Sequence, residues 1–572
     1  MKRLISYCCL CIFFSFPSFS QRIVNNSAEL SKLLSQDKEL GDIYLAGTLF
    51  EIEDLTVKAG GVVRSKDGIT PFFVGKSFKA EKRVGVAAES GYWKIKVPGF
   101  ARRDFFVFDT NFNSLPISSK VGDNNAIGLR ECDIMLLGGE NNHIKIPIQD
   151  VPLLKNRSSA NLKNCVLKLS CWYLCMDVID LYSDAKYLYG RIESKLYYNH
   201  IKMHPKNPVY LRFFNFPYAG EGIYIDGNDF LHVPDSIGAV RVCTSSRILN
   251  LTGDRTLTFK GISFMGSSNA VRIYRGSGKH FKGCTFKNCG SGIVCNRGEL
   301  NLPGDNSVES CSFDNLYNNI AVQFLGCDNV RVINNTISHT GLYNKGGSLI
   351  DVSGKDFLVE GNHIEDFSYI GIRVGNTRKE GVEKISGKVI NNIIDNKANY
   401  SVPEKLLMDG GGIYIFTHND DTEISGNIVR NIGAKECDER GIFLDDGAYN
   451  VKVLRNLIYN IYPGDEAIHA RYVSTYSNSC MNNVFEGNII VGDCIIAGNR
   501  KGKGDNTRIE NNYIDGAIKT QGDNYVKQAG TKIISTDIGE MGELLVDNRV
   551  RIRMKDYPET IRRVVNNRKR LN

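Results

Sequence analysis

Residues 332–337 read VINNTI, residues 359–364 VEGNHI and residues 389–394 VINNII. Each has an apolar residue, two variable ones, an asparagine at the fourth position and an apolar residue two further on. The unit recurs as FKGISF, FKGCTF, VESCSF, ISGNIV, VLRNLI, FEGNII and IENNYI. The fourth positions are then Ile262, Cys284, Cys311, Asn335, Asn362, Asn392, Asn427, Asn456, Asn488 and Asn512, spaced by 22 to 35 residues. A period of that size marks a stacked repeat, and short β-branched-rich units set off by Gly and Asn mark strands rather than paired helices. The reading is an all-β chain, a right-handed parallel β-helix solenoid. In it each strand pairs with its counterpart one turn away at about 4.8 Å, so that like residues stack in columns. An inward asparagine at a bend can bond the backbone above and below it, so the fourth positions are expected to form one structural ladder, with Cys284 and Cys311 in the same column.

Outward from the repeat, residues 21–80 are expected to hold an N-terminal cap and the first coil. NSAELSKLLSQ suggests a short helix with Ser27 as N-cap, and DIYLAGTLFEI one strand. Residues 81–240 lose the repeat, and YWKIKVPG, RDFFVFDT and EGIYIDG suggest an inserted β-rich subdomain. Residues 241–530 carry the solenoid and its active-site face, and 531–572 form a basic C-terminal segment. The last 25 residues hold nine Lys/Arg against two Asp/Glu, much of the formal charge of +8. They read as a solvated tail, with contact to an anionic glycan or surface as the alternative.

The first twenty residues have Lys2 and Arg3, an apolar run and then Ser18 and Ser20, the layout of a secretory signal, so the mature chain is expected from about Gln21, periplasmic or secreted. No cysteine follows the run at the cleavage point, against a lipoprotein, and no later run is long enough to span a membrane. Of 16 cysteines, thirteen follow the signal at scattered spacings, which points to buried apolar fillers with few or no disulfides. There is no CxxC pair or Cys/His cluster, so no metal and no cofactor are expected.

Stacking the strands that precede successive ladder positions aligns Ile372, Ile413, Ile442 and Ile468 inward. Strand alternation then gives an outward column of Arg373, Tyr414, Phe443 and His469, and a second of Gly375, Phe416, Asp445 and Arg471. A third column reads Tyr369, Gly410, Glu439 and Asp465. Carboxylates, cations and rings on one face suggest a site. The glycines of MDGGGIYIF, residues 408–416, suggest the floor of a cleft with Asp409 at its edge. Surface turn residues and a salt-bridged pair of His469 and Arg471 are the structural alternatives.

The runs MDGGGIYI, ISGNIVRNIG and GIFLDDGAYNVKVLRNLIYNI, with VEGNHIEDFSYIGIRVGN and LTFKGISF before them, resemble the signature of exported right-handed β-helix glycoside hydrolases of the kind grouped with families 120 and 141. PVYLRFFNFPYAGEGIYID resembles a degraded form of a segment in their insert, and the resemblance spans roughly residues 200–515. It implies hydrolysis of a glycosidic bond by two carboxylic acids, one protonating the leaving oxygen and one acting as nucleophile or as base for water. Carried over, Asp409 and Asp445 are the leading pair, with Glu439, Asp465 and Glu466 in reserve. Arg373, Tyr414, Asp446, Glu466, His469 and Arg471 are the substrate-binding candidates. The family pattern has tyrosine where Phe443 stands, so a hydroxyl contact is lost there.

Asp409 precedes its inward isoleucine by four residues and Asp445 follows its own by three; seven extended residues span roughly 23 Å. The pair meets only if the chain bends sharply at the glycines. The expected partner is a carbohydrate, with no nucleic acid and no membrane insertion of the mature chain. Two other readings stand beside hydrolysis. One is a β-helix polysaccharide lyase using Arg373, His469 and Arg471, against which the carboxylates of the wall weigh; the other is a non-catalytic glycan-binding solenoid.

Overall fold

The computed structural model describes residues 22–568 apart from 67, 83–91, 97–105, 114, 116, 121–131, 138–142, 148–166, 172–173, 184–185, 193–208, 214–222, 226–229, 297–301, 345, 376–384, 401–409, 417–418, 434–438, 446–447, 463–467, 471–481, 499–505, 522–526, 535, 539–543 and 548–551. Among the described residues one sheet of 14 strands runs from Arg22–Val24 to Lys527–Ala529, every neighbour parallel, while a second set of parallel strands builds the remaining walls of the coil. Successive strands of a wall are one repeat apart in sequence, as in Phe357–Glu360, Ile385–Ile390 and Asn419–Ser425. This is a parallel β-helix, as the repeat predicts.

The ladder forms as expected. The Oδ1 atoms of Asn335, Asn362, Asn392, Asn427, Asn456, Asn488 and Asn512 each accept the backbone N–H of the ladder residue one coil before, at 2.9 to 3.0 Å. Each Nδ2 donates in turn to a strand carbonyl of the preceding coil, such as Asn427 to Val389 at 2.9 Å. Cys311 and Cys284 continue the column, the Cys284 amide reaching the Cys311 sulfur at 3.4 Å. The residue before each asparagine has positive φ: 55° at Asn334, 65° at Gly361, 58° at Asn391 and 51° at Arg455. Only Gly, and to a lesser degree Asn, adopts that turn cheaply, so the recurrent Gly-Asn and Asn-Asn pairs are corner plus ladder.

Inside the coil, Ile337, Ile364, Ile394, Val429, Ile458, Ile490 and Ile514 are all fully buried in one core cluster. Toward the N-terminal end phenylalanines take over, with Phe264, Phe286 and Phe313 stacked at centroid spacings of 4.9 and 4.7 Å. The cysteines Cys243, Cys284, Cys289, Cys295, Cys311 and Cys327 are free thiols, all buried.

The helix Ser27–Leu34 packs Leu30 and Leu34 into the core, but its N-cap is Asn26, whose side chain accepts the Glu29 amide at 3.0 Å, not Ser27. DIYLAGTLFEI is two strands, Glu39–Leu45 and Leu49–Ile52, because Ala46–Thr48 turns a corner of the coil. Strand Leu55–Val57 pairs directly with Ser245–Thr252, so the coil before residue 76 stacks on the coil that starts near 245. The chain between them forms mainly antiparallel sheets, including Leu174–Ser183 against Tyr187–Ile192.

The C-terminal segment corrects the solvated-tail expectation. Ile552, Tyr557, Ile561 and Val565 pack against Ile428, Leu457, Tyr459 and Ile489 on the outer face of the helix wall. The Tyr557 hydroxyl donates to the Gly487 carbonyl. The positive charge of this stretch sits on the opposite side of a docked strap, with Arg553 and Arg563 side chains 74% and 77% exposed.

Candidate functional site

Strands Ser348–Val352, Ile370–Gly375, Gly411–Phe416, Arg440–Asp445 and Ile468–Ala470 pair in parallel, in that order. Ile350, Ile372, Ile413 and Ile442 face the core. The register places Asp351, Arg373, Tyr414, Phe443 and His469 in one column and Gly375, Phe416 and Asp445 in the next, as the stacked sequences predict.

Asp351 lies one coil before the first strand of the sequence alignment and was missed for that reason. Its side chain is 2% exposed; it takes Nε of Arg373 on Oδ1 at 2.8 Å and the terminal guanidinium nitrogen on Oδ2 at 2.5 Å. Gln323 adds a third bond to Oδ2 at 3.1 Å. The adjacent Asp351 charge raises the Arg373 pKa, so this guanidinium, 34% exposed at its side chain, stays charged throughout.

Below Arg373, Tyr414 and Phe443 are closed to solvent. The Tyr414 hydroxyl donates to Oδ2 of Asp445 at 2.7 Å, and the two residues are 8% and 5% exposed. The Tyr414 ring meets Phe443 edge to face at 4.9 Å and Phe416 at 6.0 Å. Phe443 is fully buried, and its face carries the guanidinium of Arg440, 4.4 Å from the ring centroid and itself fully buried. In place of the lost tyrosine hydroxyl the ring thus offers a cation its π face.

The glycines are not the floor of an open cleft. A Cβ on Gly410 would come within 2.6 Å of the Tyr369 carbonyl oxygen, one on Gly411 within 2.4 Å of the Arg440 carbonyl oxygen, and one on Gly412 within 2.4 Å of Val429. Glycine is needed because neighbouring chains fill the space. Nor does the strand bend. Gly411 pairs with Arg440 and Phe416 with Asp445 in unbroken register, so Gly410 and Asp445 lie at opposite ends of strands about 17 Å long.

Asp409, Asp446, Asp465, Glu466 and Arg471 fall outside the described residues, as does the side chain of His469. Glu439 is placed, and not on an open wall. It is 2% exposed, and neither carboxyl oxygen completes a hydrogen bond among the described residues. Burial pushes its pKa well above the usual carboxylate range, against the pull of the Arg440 charge and the Gly433 amide. It stands before the first residue of the strand that ends in Asp445, about 20 Å away along an extended chain. That exceeds the separation across which two carboxyls share a glycosidic bond. Among the described residues no cluster of three or more His, Cys, Asp or Glu side chains could hold a metal ion. No helix among them is long and apolar enough to cross a membrane.

Residues 247–429 match the family model described as "Right handed beta helix region". That segment is a right-handed parallel β-helix. A search of curated proteins returns no match. Among solved structures, this β-helix chain is similar to one described as "Glycoside hydrolase", at 12% identity, TM-score 0.46, covering 88% of this chain and 90% of the other. It is also similar to XylC in complex with xylose, at 12% identity, TM-score 0.47, covering 92% and 88%. A PL6 alginate lyase bound to a trisaccharide matches at 12% identity, TM-score 0.34, over 56% and 86%. At such scores the likeness assigns neither activity nor substrate to the β-helix.

Proposed function

We propose that this β-helix protein is an exported enzyme that hydrolyses a glycosidic bond in a poly- or oligosaccharide, with Asp445 as one of two acting carboxylic acids. The observation that carries the reading is the Tyr414–Asp445 bond of 2.7 Å on the outer face of the coil. The Tyr414 hydroxyl fixes the orientation of the Asp445 carboxylate, as attack on a sugar carbon or activation of one water requires.

Glu439, buried at the far end of the strand, is withdrawn from the pair, and Asp409, which adjoins Gly410 at that same end, is withdrawn with it; Glu466 is left as the second acid to test. Arg373, with Asp446, His469 and Arg471, would contact sugar hydroxyls. The lyase reading loses support at Arg373, because its charge is met by Asp351 and is not free to offset a uronate. A screen of purified protein against plant and host glycans, followed by Asp445→Asn on the substrate found, is the test. Hydrolysis should fall by about 10²–10⁴-fold with the melting temperature retained. Near-parental rates in that variant, or products absorbing in the ultraviolet as unsaturated sugars do, would overturn the reading.

A further inference from the structure

On a different wall of the coil from this column, the outer face of the 14-stranded sheet holds a polar groove of about 320 Å³, lined by side chains from four adjacent strands, Leu257–Lys260, Lys279–Lys282, Ser307–Glu309 and Arg331–Ile333. Its charge pattern differs from that in the middle of the face. Lower on the same sheet the rungs alternate, Lys388 opposite Glu423 and Glu423 opposite Lys452. At the groove Lys260 sits between two cations, with Arg64 opposite on one side and Lys282 on the other. Like charges directly opposite destabilise a sheet.

The two flanking cations are neutralised, Arg64 by Asp42 and Lys282 by Glu309 at 3.0 Å. Lys260 makes no ion pair among the described residues, and neither does Arg331 across the groove. Between them His280 shares a hydrogen bond of 2.9 Å with Ser307. Burial lowers the His280 pKa, leaving a neutral ring that exchanges hydrogen bonds rather than another cation. Asp305 on the rim is a carboxylate that accepts hydroxyl protons.

We propose that this groove is a second, non-catalytic binding site for an acidic polysaccharide, in which Lys260 and Arg331 take the carboxylate or sulfate groups and His280, Ser307 and Asp305 the sugar hydroxyls. Four strands span about 14 Å, room for a run of sugar units rather than a single ion. The site does not depend on the hydrolase reading: it would anchor a charged chain on one face whatever the column around Asp445 does.

The test is affinity electrophoresis of the full chain through gels containing polygalacturonate, dextran sulfate or neutral dextran. The expected result is retardation by one or both acidic polymers and none by dextran, the arms separating carboxylate from sulfate recognition. Lys260→Ala with Arg331→Ala should weaken it about tenfold or more at unchanged melting temperature, while Arg553→Ala, an exposed cation on the C-terminal strap, should not. Parental retardation in the double variant, an equal loss in the Arg553 variant, or no retardation of the parent by either acidic polymer would overturn the proposal.

Discussion

Asp445 and Tyr414 meet through one hydroxyl, and that makes catalysis separable from packing. Tyr414→Phe keeps the ring on Phe443 but removes the donor to the Asp445 carboxylate. We expect a stability loss of only about 1 kcal/mol and a fall in kcat of roughly tenfold with KM nearly unchanged. Steady-state kinetics beside a melting curve checks it, and an unaltered kcat would remove Tyr414 from the mechanism. Glu439 makes a different prediction. Its carboxyl keeps its proton to higher pH in the fold than in the unfolded chain, where it ionises near 4.3. Above that pH the unfolded state binds fewer protons, so this group makes stability fall as pH rises toward its raised folded value. Glu439→Gln should therefore gain on the parent as pH rises above the unfolded value, read as a widening difference in melting temperature. Two parallel curves would mean that Glu439 is charged in the fold. Asp445 and its neighbours in the column were legible from alternation alone, whereas the burial of Tyr414, Phe443 and Glu439 was not, since alternation tells which way a residue points and not what covers it.

At the scale of the coil, the asparagine ladder joins one turn to the next. Asn427 accepts the Asn392 amide at 2.9 Å and donates to the Val389 carbonyl at 2.9 Å, both in the dry interior. Asn427→Ala leaves those two groups without partners, so it should cost at least about 2 kcal/mol. Urea denaturation measures this directly, and a variant within about 0.5 kcal/mol of the parent would show that water replaces the side chain. The ladder was legible because its partners are equivalent residues one repeat apart, so a contact far away in sequence still leaves a periodic trace. The strand DIYLAGTLFEI was read as unbroken because Ala46–Thr48 carries no ladder residue to mark the corner.

For the whole molecule, the C-terminal strap is the element that no repeat announces. Tyr557 is 5% exposed, wedged against the wall with its hydroxyl on the Gly487 carbonyl. Tyr557→Ala should destabilise the strap by about 3 kcal/mol. Hydrogen exchange should then quicken over residues 552–565 while the ladder amides, satisfied within the coil, keep their protection. Unchanged exchange in the strap would mean that Ile561 and Val565 hold it without the tyrosine. Titration of the denatured, unreduced chain should also find Cys243, Cys284, Cys289, Cys295, Cys311 and Cys327 as thiols, silent in the native protein because all are buried.

What this sequence determined by itself is the solenoid. The stacking, the ladder and the outward columns all follow from contacts between residues one repeat apart, where identical local rules apply at every turn. Only the tertiary structure decided what lies over those columns. Glycines 410–412 admit the backbones of other coils, Phe443 holds a buried guanidinium, Asp445 accepts a buried tyrosine hydroxyl, and a basic tail becomes a strap. The strap joins a segment that shares no repeat, so it leaves no period to read, and the others turn on which side chains pack across neighbouring coils, which a period does not specify.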